Sequence, residues 1–329
     1  MTILKQKRKI NRVIRKAKTI FLMAHKDLDL DALGSCIGLN LLIKKKKKDC
    51  YIVIDDKEHE LGVEKVLREL EGCINVIRSE NIEKVLNPNK DKNLLIVLDT
   101  NKSDLVQNKE MLKRIDKKIV IDHHDTGKTT IKDALLVIDP EASSTCEMIT
   151  RFTEHHDLDI EPYYATILLS GIVLDTNNFT LKTSKDTYYA AFYLASLGAS
   201  AKKVQYLLKQ DIDDYKDRQK LMTSIDKINK RIAFTKAGAN TIYRREDLAK
   251  VADTLLFFND IEASFVIGKV GKNSVGLSAR SLGNYDIRKI VNKLGGGGDE
   301  YDCAARFENT TLSKVEKEIK NCIAEEEGE

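Results

Sequence analysis

Through the first half of the chain, short runs of apolar, β-favouring residues alternate with longer amphipathic stretches. The runs lie at 20–23, 51–54, 94–98 and 118–121. Between them, residues 32–44 and 63–70 place their apolar side chains near helical intervals. This alternation predicts an α/β fold, a parallel sheet with helices on its faces. Ligand sites in such sheets gather at the carboxyl ends of the strands. Here His25, Asp55, Asp99 and the triplet Asp122-His123-His124 each follow an apolar run closely.

The second half reads differently. Helical stretches at 163–174 and 184–197 continue the first domain, and 201–230 reads as helix and connector. From Arg231 onward, strand-like runs fall at 239–243, 263–269 and 274–279, followed by a segment at 286–294 and the glycine run 295–298. The change of texture predicts a domain boundary near residues 205–230. A chain of 329 residues, 42% hydrophobic, is long enough for two such domains, each with its own core.

Charge and cysteine usage narrow the function classes. The 55 Lys and Arg nearly balance the 51 Asp and Glu. A formal charge of +4 is too small to argue nucleic-acid binding from composition, but it is compatible with a small anionic ligand in a local pocket. The six cysteines form no CxxC pair, which argues against a zinc ribbon or a dense disulfide framework. No apolar stretch is long enough to span a bilayer, and the basic N-terminus lacks the apolar core of a signal peptide. The expectation is a cytoplasmic protein without a membrane segment. The lysine run 44–48 suits a solvated helix C-terminus, and His59 and the pair His155 and His156 read as surface.

Four segments carry candidate chemistry. In AHKDLDLDALGS, a loop between strand and helix, His25, Asp29 and Asp31 can aim one imidazole and two carboxylates at one point; Asp27 is out of step. In IVLDTNKSD, Asp99 ends a strongly apolar strand, where a carboxylate is costly to bury unless paired or metal-bound. In VIDHHDTG, two adjacent histidines point in different directions, so one can ligate while the other faces a substrate. In GIVLDTNNF, Asp175 ends an apolar segment. Histidine and aspartate donors without thiolates suit Mn²⁺, or Mg²⁺ or Co²⁺. Six such residues are too many for one catalytic zinc and fit two ions about 3.5–4 Å apart with a shared carboxylate and a bridging hydroxide.

In their order, HxxxDxDxxGS, DTN, DHH, ASST and GIxxDTxxF resemble the DHH phosphoesterase superfamily, and LSARS followed by GGGG resembles its DHHA1 companion domain. The resemblance covers about residues 15–310. It implies a parallel-sheet DHH domain (1–205), a helical linker (206–230) and a smaller α/β DHHA1 domain for substrate binding (231–329), with the active site in the cleft between domains. It further implies one metal on His25, Asp29 and Asp99, and a second on Asp31, Asp99, His123 and Asp175. His124 would then lie near the scissile phosphate, with Ser144, Thr145, Arg280, Gly296, Gly297, Gly298 and Asp299 as substrate contacts; a helix N-cap is the alternative role for a hydroxyl of the ASST segment.

DLDA, DTNKSDLV, SARSLG and KLGGGG are similar to the catalytic part of cyclic-di-AMP phosphodiesterases of the GdpP type. That likeness implies hydrolysis of cyclic di-AMP to linear pApA by metal-activated hydroxide, with Mn²⁺ as the metal and a homodimer as the assembly. A nanoRNase and pAp phosphatase acting on short RNA, or a nucleotide-binding protein without turnover, are the rivals. The chain departs from the family at Asp299, where histidine is usual, and near Lys182 and Asp186, where arginines are common. A carboxylate at 299 would repel a substrate phosphate.

Overall fold

A computed structural model describes residues 2–55, 58–238, 241–298 and 300–328, in two compact units, Met1–Lys209 and Gln210–Glu329. The first unit runs α1 (Thr2–Lys16), β1 (Thr19–Met23), α2 (Leu30–Lys45), β2 (Asp49–Val53), α3 (Leu61–Glu69), β3 (Val76–Ile77), β4 (Asn93–Leu98), α4 (Lys109–Arg114), β5 (Lys118–Asp122), β6 (Leu135–Ile138), α5 (Thr145–Glu154), α6 (Pro162–Asp175), α7 (Lys185–Ser196) and α8 (Ala201–Leu207).

Its six strands form one parallel sheet in the order β3-β2-β1-β4-β5-β6. Strands buried on both faces need apolar residues at consecutive positions. Accordingly Ile20 and Leu22 of β1 join one core with Leu94, Ile96 and Leu98 of β4, while Phe21, Met23, Leu95 and Val97 join a second core on the other face. The strand order reverses between β1 and β4. This places the switch-point crevice, where ligands of such sheets bind, at the loops after those two strands.

Helix α2 is buried along nearly its whole length. It packs against α5 and α6 at glycine distance: a Cβ on Gly38 would meet the Ile149 and Leu168 side chains at 2.8 and 2.9 Å, and one on Gly34 would meet Cys146 Sγ at 2.8 Å. These contacts hold the start of α2 against the start of α5.

The second unit runs α9 (Ile212–Met222), β7 (Ile225–Lys227), β8 (Ile232–Lys236), α10 (Arg245–Leu255), β9 (Ala263–Gly271), β10 (Ser274–Ser281), α11 (Ile287–Lys293), β11 (Gly297–Gly298), β12 (Asp302–Glu308) and α12 (Leu312–Gly328). Its sheet, β11-β12-β10-β9-β8-β7, is antiparallel except for the β8–β9 pair. One face packs on α11 and α12 and the other on α10.

Two expectations are corrected. The strand expected at 239–243 is displaced to Ile232–Lys236, which supplies the apolar residues Ile232, Ala233 and Phe234 to the cores; Ile242 makes only an isolated bridge to Lys269. Residues 239 and 240 lie outside the described residues, as does Asp299. His156 is half-buried, bonded to Asn11 and to the Phe152 carbonyl, rather than solvated.

Candidate metal centre

His25 and Asp29 sit on the short loop between β1 and α2, and Asp31 lies in the first turn of α2. The His25 Nδ1–H donates to the Lys26 carbonyl at 2.7 Å, which leaves Nε2 as the ring's lone-pair nitrogen. That atom is 3.3 Å from Asp99 Oδ2 and 3.7 Å from Asp29 Oδ2. Asp29 is the N-cap of α2, accepting from the Ala32 N–H at 2.9 Å with Oδ1. Asp31 is fully buried, and its two oxygens accept from the backbone N–H groups of Thr145 and Cys146, each at 2.8 Å. The N-terminus of α5, with its positive dipole end, thereby clamps a carboxylate more than a hundred residues away in sequence.

Asp99 ends β4 in the left-handed region (φ 59°), a conformation aspartate tolerates better than most residues. It is buried and accepts from Thr145 Oγ1 at 2.9 Å. His123 Nε2 approaches it at 3.4 Å, and approaches Asp175, at the end of α6, at 3.1 Å. His124 follows on the next residue with 48% of its side chain exposed. Its Nδ1–H donates to Asp122 Oδ1 at 2.8 Å, and Asn101 Nδ2 donates to the other Asp122 oxygen at 2.6 Å.

Three groups of donor atoms lie within 4.8 Å of one another: His25, Asp29 and Asp99; Asp31, His123 and Asp175; and Asp99 with Asp122, His123 and His124. All six residues expected to ligate metal therefore converge, with Asp99 between two groups. Both ring nitrogens of His123 are buried without a hydrogen-bond partner, despite the nearby carboxylates. Leaving such atoms unpaired is costly, and a cation among these groups would remove the cost. Nitrogen and oxygen donors of this kind suit hard to borderline divalent ions. The set could hold two of them.

The electrostatics agree with that use. Burial works to lower the His25 pKa, yet Asp29 and Asp99 hold it well above the ordinary range. His123 is likewise raised, burial being outweighed by Asp175 and Asp99. Burial opposes charge on Asp99, but His123 and His25 keep its carboxyl well below the usual range. Burial, then the charges of Asp99 and Asp175, push Asp31 up. Asp29 is pushed up to about 7, chiefly by burial, with His25 opposing. The cluster packs several carboxylates into one desolvated site and leaves them short of positive charge.

Other expected residues have different surroundings. Ser144 is buried as the N-cap of α5, accepting from the Glu147 N–H, and the Thr145 hydroxyl is spent on Asp99. Both hydroxyls are buried among the elements that carry the donor groups. Arg280 is 8% exposed on β10, where it pairs with Asp253 at 2.8 Å and with Asp302. Its guanidinium is thus held by two carboxylates, one from α10 and one from β12. Gly296 and Gly297 line a cavity of about 360 Å³ in the second unit with Arg245, Ser278 and Arg306. A Cβ on Gly296 would meet the Ala304 carbonyl oxygen at 2.5 Å, so glycine is required there. Gly298 continues the same strand, β11, outside the cavity lining.

Asp55 ends β2 but stands apart from the donor groups, accepting from Ser79 and Asn108. The sequence pattern missed Asn101, which orients Asp122, and Gln107, which donates to the His25 carbonyl and accepts from the Asp55 N–H. Asn101 falls inside the DTN motif, a signal that was available; Gln107 carries none.

Residues 19–172 match the DHH family, N-terminal domain, and residues 229–325 match the DHHA1 domain. The chain is 35% identical over 318 residues to the cyclic-di-AMP phosphodiesterase GdpP of Geobacillus thermodenitrificans, covering 95% of this chain and 48% of that protein. Identity and coverage are the same for the cyclic-di-AMP phosphodiesterase PdeA of Listeria monocytogenes. The chain thus spans about half the length of these relatives. Among solved structures, an exopolyphosphatase-related protein from Bacteroides fragilis shares the fold, with a TM-score of 0.80 at 17% identity over 98% of this chain and 96% of that one.

Proposed function

From the premise that the chain belongs to the DHH family and carries a DHHA1 domain, we propose that it is a two-metal phosphodiesterase hydrolysing cyclic di-AMP to linear pApA. The observation that carries this reading is the convergence of His25, Asp29, Asp31, Asp99, His123 and Asp175 at the carboxyl edge of a parallel sheet, with a buried, unpartnered imidazole at its centre. The names of the relatives at 35% identity support the choice of substrate.

His25, Asp29 and Asp99 would hold one ion, and Asp31, Asp99, His123 and Asp175 the other, with Mn²⁺ as the proposed metal. Two such ions, when bound, supply Lewis-acid activation of water and of the phosphoryl group. The protein's own part is positional. The Lys26 carbonyl fixes the His25 tautomer, and the α5 N-terminus fixes Asp31. Asp122 accepts a hydrogen bond from the His124 Nδ1–H, which orients the ring so that Nε2 faces outward to hold or give a proton at the leaving oxygen. In the second unit, the cavity lined by Gly296, Gly297, Arg245 and Arg306 is the proposed nucleotide-binding element.

The test incubates purified protein and Mn²⁺ with cyclic di-AMP, pApA, short RNA and pAp. Fastest turnover of cyclic di-AMP is expected. Much faster turnover of pAp or short RNA would overturn the substrate assignment, and full metal occupancy without turnover of any of the four would overturn the enzymatic reading.

A further inference from the structure

The near balance of charge over the whole chain conceals a separation. The first 48 residues carry 14 Lys and Arg against three Asp, while the rest of the chain is net acidic. Helix α1 has basic residues from Lys5 to Lys16 and no acidic one. Its apolar stripe, Ile3, Ile10 and Ile14, is buried in the unit, so the opposite face offers only charge.

The tertiary fold gathers this charge on one side. Lys48 Nζ donates to the Arg15 and Ala17 carbonyls, which joins the lysine run at the end of α2 to the end of α1. Asn11 of α1 bonds His156 at the end of α5, and Lys46 and Lys7 lie close enough to act on that imidazole. The same edge is extended by the sheet. Lys18, Lys48, Lys92 and Lys117 immediately precede β1, β2, β4 and β5. Since these strands are parallel, the four lysines share the amino edge, opposite the metal centre. Five residues of strand separate the two edges, about 16 Å.

Of the four strand-leading lysines Lys117 pairs with Asp91 at 2.9 Å, whereas the cations of α1 and of the 44–48 run are largely unneutralised. Several surface lysines elsewhere find carboxylates, as in Lys113–Glu110 and Lys216–Asp213. Among the described residues, no ion pair is recorded for any cation of α1 or of the 44–48 run. The dipole of α2 favours cations at its own C-terminus, but it does not account for charge along the full length of α1, about 22 Å.

We propose that this amino-edge face docks on an anionic lipid surface. It is too far from the metal centre to grip a small substrate there. Single-stranded nucleic-acid grooves combine cations with stacking aromatics, and neither α1 nor the 44–48 run contains an aromatic residue. A broad array of Lys and Arg without aromatics matches a headgroup layer. With the apolar stripe of α1 turned inward, nothing inserts; adhesion is electrostatic and reversed by salt.

The test is co-sedimentation of the full chain with vesicles of phosphatidylcholine containing about one-third phosphatidylglycerol, against pure phosphatidylcholine. Binding to the anionic vesicles alone is expected at about 0.1 M salt, with release at about 1 M. Replacing Lys5, Lys9, Arg12 and Lys16 together by glutamine should lower the partition coefficient at least about 100-fold, with melting temperature and Mn²⁺ affinity unchanged. Lys45→Gln with Lys47→Gln should weaken it independently. Equal binding to neutral vesicles, persistence at high salt, or undiminished binding by the four-site variant would overturn the proposal. So would tighter binding of a single-stranded RNA than of anionic vesicles at the same salt, lost in the same variant.

Discussion

Replacing Thr145 by valine removes one hydroxyl from the buried start of α5 and leaves its shape nearly unchanged. The hydroxyl donates to Asp99 Oδ1 at 2.9 Å, while the Thr145 N–H continues to hold Asp31. A hydrogen bond to an ionised group contributes about 1.5–3 kcal/mol, and Asp99 is too buried for water to replace it. In the metal-free protein the loss is partly recovered, because the carboxylate can lean on His25 and His123 at 3.3 and 3.4 Å. With ions bound, both oxygens are committed and the full loss is felt. The difference should be about 1.4 kcal/mol, a tenfold fall in Mn²⁺ affinity. Calorimetric titration measures that affinity. Urea unfolding in EDTA and in saturating Mn²⁺ measures the two stabilities, whose difference must match the affinity change by linkage. Equal destabilisation in both conditions with unchanged affinity would refute the reasoning, since Thr145 would then only pack.

Three further outcomes follow from the geometry. Mn²⁺ affinity should rise with pH through about 7, because Asp29, raised to about 7, and the raised His25 and His123 must shed protons to ligate. For the same reason the metal-free protein holds the stability contributed by Asp29 below its ordinary carboxyl range and loses it as pH rises through about 7; an affinity that is flat or falling over that interval would count against the cluster as a ligand set. His124→Ala should slow turnover by about 10²–10⁴-fold with metal content unchanged by elemental analysis, and a variant that keeps its rate would remove His124 from the chemistry. Gly171→Ala places a Cβ 2.6 Å from Cys146 Sγ and 2.9 Å from Asp31, so it should destabilise by about 1–3 kcal/mol and weaken Mn²⁺ binding. Cys146→Ala in that background should restore part of the stability, and failure to do so would locate the clash elsewhere.

The six residues of the cluster were legible because each falls where a one-dimensional pattern is strong. His25, Asp99 and His123 interrupt or end apolar runs that only a doubly buried strand explains, and Asp29 and Asp31 open a helix whose apolar content is continuous. Parallel strands with helical crossovers then bring those ends to one edge, so sequence order implies proximity. The weaker elements were less legible: β6 is short and mostly half-buried, and the strand expected at 239–243 falls earlier, at Ile232–Lys236.

What the tertiary structure alone decided is how the remaining polar groups are used. Asp31 meets Thr145 and Cys146 across more than a hundred residues, and Arg280 meets Asp253 and Asp302 from two other elements. A hydroxyl or a guanidinium can cap, brace or bind, and its letter is the same in each case. Its partner is chosen by which backbone and side chains arrive within about 3 Å, and that depends on packing between elements rather than on spacing along one. The same holds for charge: the lysines before four separate strands are scattered in sequence, and only the parallel register of the sheet assembles them into one face.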